Sequence, residues 1–326
     1  MLNPALIAVL GLLLFPRGCF SPGSDPLSAP KFPANNGISQ RIALYEAWFG
    51  HPRHISVGYN SHDSGAIRRQ IRLAKAMGIS AFVVDWYGSR EPFIDQSYAI
   101  VQTTAQEEHF QIAMMYDETK DPNGSTEQAI LDLKAFHDRY LVESSSGRTA
   151  YLTYDGHPLI FVFPTSGHTD WAQVRTAIRK WEPSPLLIDE NLPGQDADAF
   201  DGFYPWINPG KAGWAPDGSN WGESYLTEFY STMQSHHPDK MIVGGVWASF
   251  DDSKAGWGLN RHISARCGQT LSDTNHLLQQ NFPLHAPPPF VMVETWNDHE
   301  EGSAVEDGIP SCPVSGSAQA SPHSSN

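Results

Sequence analysis

Positive charge is scarce in this chain. Its 326 residues carry 21 lysines and arginines against 36 aspartates and glutamates, a formal net charge of −15. That balance argues against nucleic acid and anionic membrane surfaces as partners, since both would be repelled. A neutral polymer meets no such penalty. Cysteine is scarcer still, at three residues, Cys19, Cys267 and Cys312. No apolar run is long enough to span a bilayer. Several catalytic signatures are missing as well. There is no G-x-S-x-G nucleophile elbow, no H-E-x-x-H, and no H-x-H pair in "YEAWFGH". The stretch "FGHPRHISVG" is not a Gly-rich phosphate loop, and no internal repeat is visible. Neither a metal nor an organic cofactor is expected, and a monomer is.

What the chain does contain is a globular composition, 40% hydrophobic and 11% aromatic, with ten tryptophans. Indole faces stack on sugar rings, although tryptophans also simply fill large cores. The segment Ala5–Phe15 has the length of a signal-peptide core, though no basic residue precedes it. Residues 1–20 are therefore read as a signal peptide or lipoprotein signal, with Cys19 as a possible lipid anchor. Export follows, whether to a periplasm, the medium or a cell surface. After export Cys267 and Cys312 either pair or remain two free thiols. Residues 21–40 and 311–326 are rich in Pro, Ser and Gly without periodicity, and read as a disordered linker and tail.

Between them, residues 41–310 alternate. Strand-like apolar runs occupy 42–50, 79–88, 110–118, 158–164, 186–191, 200–206, 241–250 and 289–297. Helical patterns are read at 64–78, 126–141 and 170–181, and weaker ones at 224–234 and 272–282. Gly78 suits the end of the first. "LPGQDADA" is too short for a full helix. Eight strands with intervening helices predict an α/β fold, a single (β/α)8 TIM-type barrel, with a doubly wound open sheet as the alternative.

In such a barrel the chemistry sits at the C-terminal strand ends. Those ends bring Tyr45, Glu46 and Trp48, then Asp85, Trp86 and Tyr87, then Tyr116, Asp117 and Glu118. Later strands add Asp189 and Glu190, Tyr204 and Trp206, then Trp247, Asp251 and Asp252. The last adds Glu294, Trp296, Asn297, Asp298 and Glu301. A mouth lined with carboxylates and aromatic rings suits the cleavage of a sugar linkage. That chemistry needs an acid for the leaving oxygen, a second carboxylate, and flat faces for the rings. The other reading is a polar rim that happens to be acidic. Asp298 and Glu301 stand three positions apart, which in a helical turn sets their β-carbons roughly 5–6 Å apart. Their repulsion would leave one protonated acid beside one ionised base. Gly302 would permit a tight exit, and Glu300 is expected to face solvent.

"TWNDHEEGSAVE" resembles the W-N-E-W-H-E-G-T-x-I-E signature of glycoside hydrolase family 99, the endo-α-mannosidases and endomannanases. It also resembles the W-N-D-x-x-E of the family 71 α-1,3-glucanases. "VGYNSHDSGAIRRQIRLAKAMGISAFVVDWYG" is similar to the family 99 helix leading into a V-V-x-W-W/Y-G strand. "DGFYPW" and "VGGVWASFDDSKAGWG" resemble its later strands. The resemblance implies that Asp298 is a base and Glu301 the general acid/base. Asp298 stands where family 99 has Glu, and agrees with the family 71 form. His299 and Glu300 replace the W-H between the acids. The remaining strand-end residues, Tyr45, Glu46, Trp48, Asp85, Trp86, Tyr87, Tyr116, Asp117, Tyr204, Trp206, Trp247, Asp251, Trp296 and Asn297, are taken as substrate-binding. An exported glycoside hydrolase acting on an α-linked mannan or glucan is the leading expectation. The rival is a non-catalytic carbohydrate-binding barrel, a surface lipoprotein that captures glycans.

Overall fold

The computed structural model describes residues 39–309 apart from 119–124, 165, 166, 168 and 284. The signal segment with Cys19, all but the last two residues of the linker, and the tail with Cys312 lie outside the described residues. In chain order the elements are β1 (Gln40–Tyr45), α1 (Ser64–Ala76), β2 (Ala81–Trp86), α2 (Pro92–Glu107), β3 (Gln111–Asp117) and α3 (Thr126–Phe136). Next come the short β4 (Thr153–Tyr154), β5 (His157–Phe163), α4 (Trp171–Ile178), β6 (Leu186–Glu190), β7 (Gly202–Tyr204) and α5 (Glu223–His236). The chain continues with β8 (Met241–Val246), β9 (Phe250–Asp251), β10 (His262–Ile263), α6 (Gln269–Asn281) and β11 (Phe290–Val293).

Strands β1, β2, β3, β5, β6, β7, β8 and β11 pair in that order, every neighbour parallel, and β11 returns to β1. The sheet is closed, so the open-sheet alternative is excluded. All eight apolar runs became barrel strands, and the (β/α)8 reading of the sequence holds. Each strand is covered on both sides, which is why β2 is buried along its whole length and reads as a continuous apolar run. The β6–β7 link holds one short 3-10 turn, Ala197–Ala199, in place of a helix. β1 begins at Gln40, inside the stretch read as linker, because Gln40 N–H already donates to Pro289 O (2.9 Å).

Local chemistry starts the helices where they are needed. The side chains of Asp63, Ser125 and Asp170 accept from backbone N–H groups at the N-termini of α1, α3 and α4. The helical reading did not include α2. Its apolar positions Ile94, Tyr98, Val101 and Ala105 do follow one face. Buried Ser97, Gln102 and Thr104 dilute that signal. Cys267 is disulfide-bonded, which removes the free-thiol reading for that residue. No helix among the described residues is long and apolar enough to cross a membrane. Because all eight strands run the same way, their C-terminal ends form one mouth.

Candidate active site

A cavity of about 560 Å³ opens at that mouth, within the size range of small-molecule sites. Its lining follows the two-residue period of a strand. β1 and the residues after it send in Leu44, Glu46 and Trp48. The β2 end sends in Asp85 and Tyr87, the β3 end Met115 and Asp117, and the β6 end Glu190. Asp298 and Glu301 line the same space from the turn after β11, together with Trp206. Six carboxylates therefore face one cavity, and among the described residues Arg261 is the one cation in its lining.

The alternation also decides which strand-end residues stay out. The Tyr45 hydroxyl donates to Gln70 of α1 (2.8 Å), Trp86 Nε1 to Asp95 of α2 (3.2 Å), and the Tyr116 hydroxyl to Asp132 of α3 (3.3 Å). Each is the odd neighbour of an inward residue, and each ties the barrel to its helix layer. Trp247 Nε1 donates to Trp221 O, and Trp296 packs on Phe82 at 5.4 Å. The Tyr204 hydroxyl reaches Val162 O across the barrel. Asp251 accepts from Ser253 N–H at the start of a 3-10 turn. None of these seven, all read from the sequence as substrate-binding, lines the cavity. Asn297 does not line it either. It positions Glu46 instead, accepting from Glu46 N–H (2.7 Å) and donating to Glu46 O (3.0 Å).

Asp298 organises the turn. Its Oδ1 accepts from the N–H groups of Glu300 (2.9 Å) and Glu301 (2.8 Å), and its own N–H donates to Thr295 Oγ1 (2.8 Å). Glu301 Oε1 accepts from Trp257 Nε1 (2.8 Å). Gly302 closes the turn with φ +60, and a Cβ there would stand 3.1 Å from Asp251 N and O. Asp251 N–H in turn donates to Glu301 O (2.6 Å). Gly302→Ala should therefore cost roughly 1–2 kcal/mol of stability through the left-handed backbone alone. Denaturant unfolding checks this, and an unchanged midpoint would mean that the turn can relax.

Burial pushes the Asp298 carboxyl well above the usual carboxylate range, and Glu301 adds to the rise. Burial also raises Glu301, while the Trp257 N–H and the Arg261 charge hold it back. Two acids this close titrate as a unit. Glu46 is raised well above its ordinary value, first by burial, then by Asp85, Asp298, Glu301 and Asp117. Its Oε2 is buried without a hydrogen-bond partner among the described residues. Burial raises Glu190 to about 8. Beneath the mouth lies Glu294, fully buried, with no partner for either carboxylate oxygen among the described residues. Burial raises it well above the ordinary range, and Glu190 adds to the rise.

The expectation that Glu300 faces solvent is overturned. It is 2% exposed, and its carboxylate binds His54 Nδ1 (2.7 Å) and Ile55 N–H (3.0 Å). The strand-end reading had Glu190, but the list of substrate-binding residues left it out, along with Trp214, Trp257 and Arg261. Glu190 was visible as the last residue of "LLIDE". The other three sit on excursions after β7 and β9, where no periodicity predicts direction. Arg261 is anchored by fully buried Asp252, which takes its Nε–H (2.7 Å) and its backbone N–H (2.6 Å). Its guanidinium lies over the rings of Trp214 and Phe250, 5.3 Å from each centroid. Among the described residues no group of three or more His, Cys, Asp or Glu side chains is arranged to hold a metal ion.

The chain is a single (β/α)8 barrel with an acidic, aromatic mouth, and its fold is similar to that of glycoside hydrolases. Two structures of the family 99 endo-α-mannosidase of Bacteroides thetaiotaomicron match it with TM-scores of 0.66 and 0.65 at 18% and 17% identity. They cover 83% and 82% of this chain and 87% of their own. A glycoside hydrolase-like protein matches with a TM-score of 0.58 at 14% identity, over 86% of this chain and 89% of its own. Comparison with protein-family models and with curated proteins gives no match. The resemblance first seen in the strand-eight motif therefore extends to the tertiary fold.

Proposed function

We propose that this protein is a glycoside hydrolase that cleaves an α-linked glycan, a mannan or a glucan, with Glu301 as general acid and Asp298 as base. One observation carries the reading. Two carboxylates three residues apart, held in one turn by backbone hydrogen bonds, both line the barrel's mouth cavity. Around them stand Trp48, Tyr87, Trp206, Trp214 and Trp257, ring faces of the kind that pack on sugars. Asp298 is taken as the base from the likeness to family 99, and two N–H groups stabilise its anion on Oδ1 against the burial that raises it. Glu301 is the more exposed of the two, and it gives its proton to the leaving oxygen. In the route implied by likeness to family 99, Asp298 takes the proton of the substrate's own 2-hydroxyl, which attacks the anomeric carbon. In the route implied by likeness to family 71, it activates water instead, and the configuration inverts. Glu46, Asp85 and Asp117 line the same cavity, where carboxylates can accept from sugar hydroxyls.

The apolar segment Ala5–Phe15 and the disulfide at Cys267 support export, and the protein is taken to act as a monomer. The test is reducing-end release from a panel of α-mannans and α-glucans, with the anomer of the first product read by NMR. Release from at least one polymer is expected. Tight binding without release would support the glycan-capture reading in place of this one.

A further inference from the structure

Glu300 sits between the two acids in sequence, and its contacts join them in space. Its backbone N–H donates to Asp298 Oδ1, while its carboxylate holds His54 Nδ1. The pair is almost fully enclosed, with side-chain exposures of 5% for His54 and 3% for Glu300. The His54 ring lies flat against Trp48, 4.7 Å between centroids and 8° between planes. Trp257 stands edge-on to both, 5.9 Å from Trp48 and 6.1 Å from His54. Trp257 Nε1 donates to Glu301 Oε1. Contacts therefore run in a ring from Asp298 through Glu300, His54 and Trp257 to Glu301.

We propose that His54, Glu300 and Trp257 are positioning residues, in which the buried His54–Glu300 bond fixes the imidazole that braces Trp257 so that its N–H aims Glu301 at the leaving oxygen. The inference rests on the reading of Glu301 as the general acid. The physical need for a brace is plain. Trp257 lies on the excursion between β9 and β10 and is 42% exposed. An indole that swings would leave Glu301 without its hydrogen bond, and a misplacement of about 1 Å at a reacting group can cost 10²-fold in rate. The brace is built from rigid parts, since His54 and Trp48 are buried and Glu300 belongs to the same turn as both acids. The two rings also give Trp257 edge contacts of the kind aromatic pairs favour.

The test reads a pH profile, which a purely structural role would not move. The charged groups around Glu301 are Asp298 and Glu300 on its own turn, Glu46 after β1, Glu190 on β6, and Asp252 and Arg261 on the β9–β10 excursion. All of them remain in the variant Trp257→Phe, which keeps an aromatic ring but loses the donor and the second ring of the indole. A donor to the carboxylate favours its charged form, so its loss raises the pKa of the acid. The substrate is whichever α-mannan or α-glucan the wild type cleaves. Trp257→Phe should lower kcat by about 10- to 10²-fold and move the alkaline limb of the rate profile to higher pH. His54→Phe keeps the stack on Trp48 but loses the bond to Glu300. It should shift the limb in the same direction by less. A wild-type limb and wild-type kcat in Trp257→Phe, with Glu301→Gln inactive, would overturn the positioning role and leave the catalytic reading standing. Near-wild-type turnover by Glu301→Gln would overturn both.

Discussion

Glu301→Gln should lower kcat on an unactivated glycan by about 10²–10⁴-fold while leaving substrate binding nearly intact. The amide keeps the shape of the side chain and an oxygen for the Trp257 N–H, and removes the transferable proton. A substrate with a very good leaving group should recover part of the rate, since its departing oxygen needs less protonation. Asp298→Asn should fall as far and recover nothing on that substrate, because the base is required whatever leaves. The two variants are thus separated by the leaving-group dependence, read as kcat and KM on paired natural and activated substrates. If the mouth were only an acidic rim, both substitutions would leave activity alone and relieve repulsion, raising stability. Loss of both binding and turnover in Glu301→Gln would instead point to misfolding of the turn, which its thermal midpoint would reveal.

Stability should fall as pH rises from about 5 to 8. Burial raises Asp189 to about 7 and Glu190 to about 8, and lifts Glu294 well above the ordinary range. In the unfolded chain these groups ionise near the usual value of about 4. Between those limits the folded state holds more protons than the unfolded one, so unfolding becomes easier as protons are withdrawn. Each proton of difference is worth about 1.4 kcal/mol per pH unit. The penalty is absent below the unfolded pKa and complete once the folded pKa is passed. Ion-paired acids such as Glu108, held low by Arg72, act below that window and do not confuse it. Glu294→Gln cannot ionise and should flatten the slope by up to one proton, with its largest gain at pH 8. Urea unfolding at pH 5, 6.5 and 8 measures both effects. Stability that is level or rising over this range in the wild type would refute the assignment of these three groups as neutral.

The barrel was readable because its cause is local and repeated. Eight apolar runs between helical patterns admit few closed arrangements, and parallel strands put one set of ends at one mouth. The acids after β11 were readable for a different reason, since three carboxylates within four positions repel one another and mark an unusual turn. The strand ends were read less well. Tyr45, Trp86 and Tyr116 were grouped with Glu46, Asp85 and Asp117, although a two-residue period separates each pair onto opposite faces. Applied to the last residues of each run, that rule would have sorted them. It would not have placed Trp214, Trp257 or Arg261, whose backbone follows no strand.

By itself the sequence determined the closed α/β architecture, the end of the barrel where carboxylates and aromatic rings gather, and the turn that brings Asp298 and Glu301 together. Each of these depends on neighbours a few positions away, or on a pattern repeated along the chain. Only the tertiary structure decided which carboxylates share the cavity, and that Glu300 is buried. The partner of Glu300, His54, lies 246 positions away in the chain. Burial and hydrogen bonding across such a distance are properties of the closed barrel, because only closure sets the loop after β1 against the turn after β11.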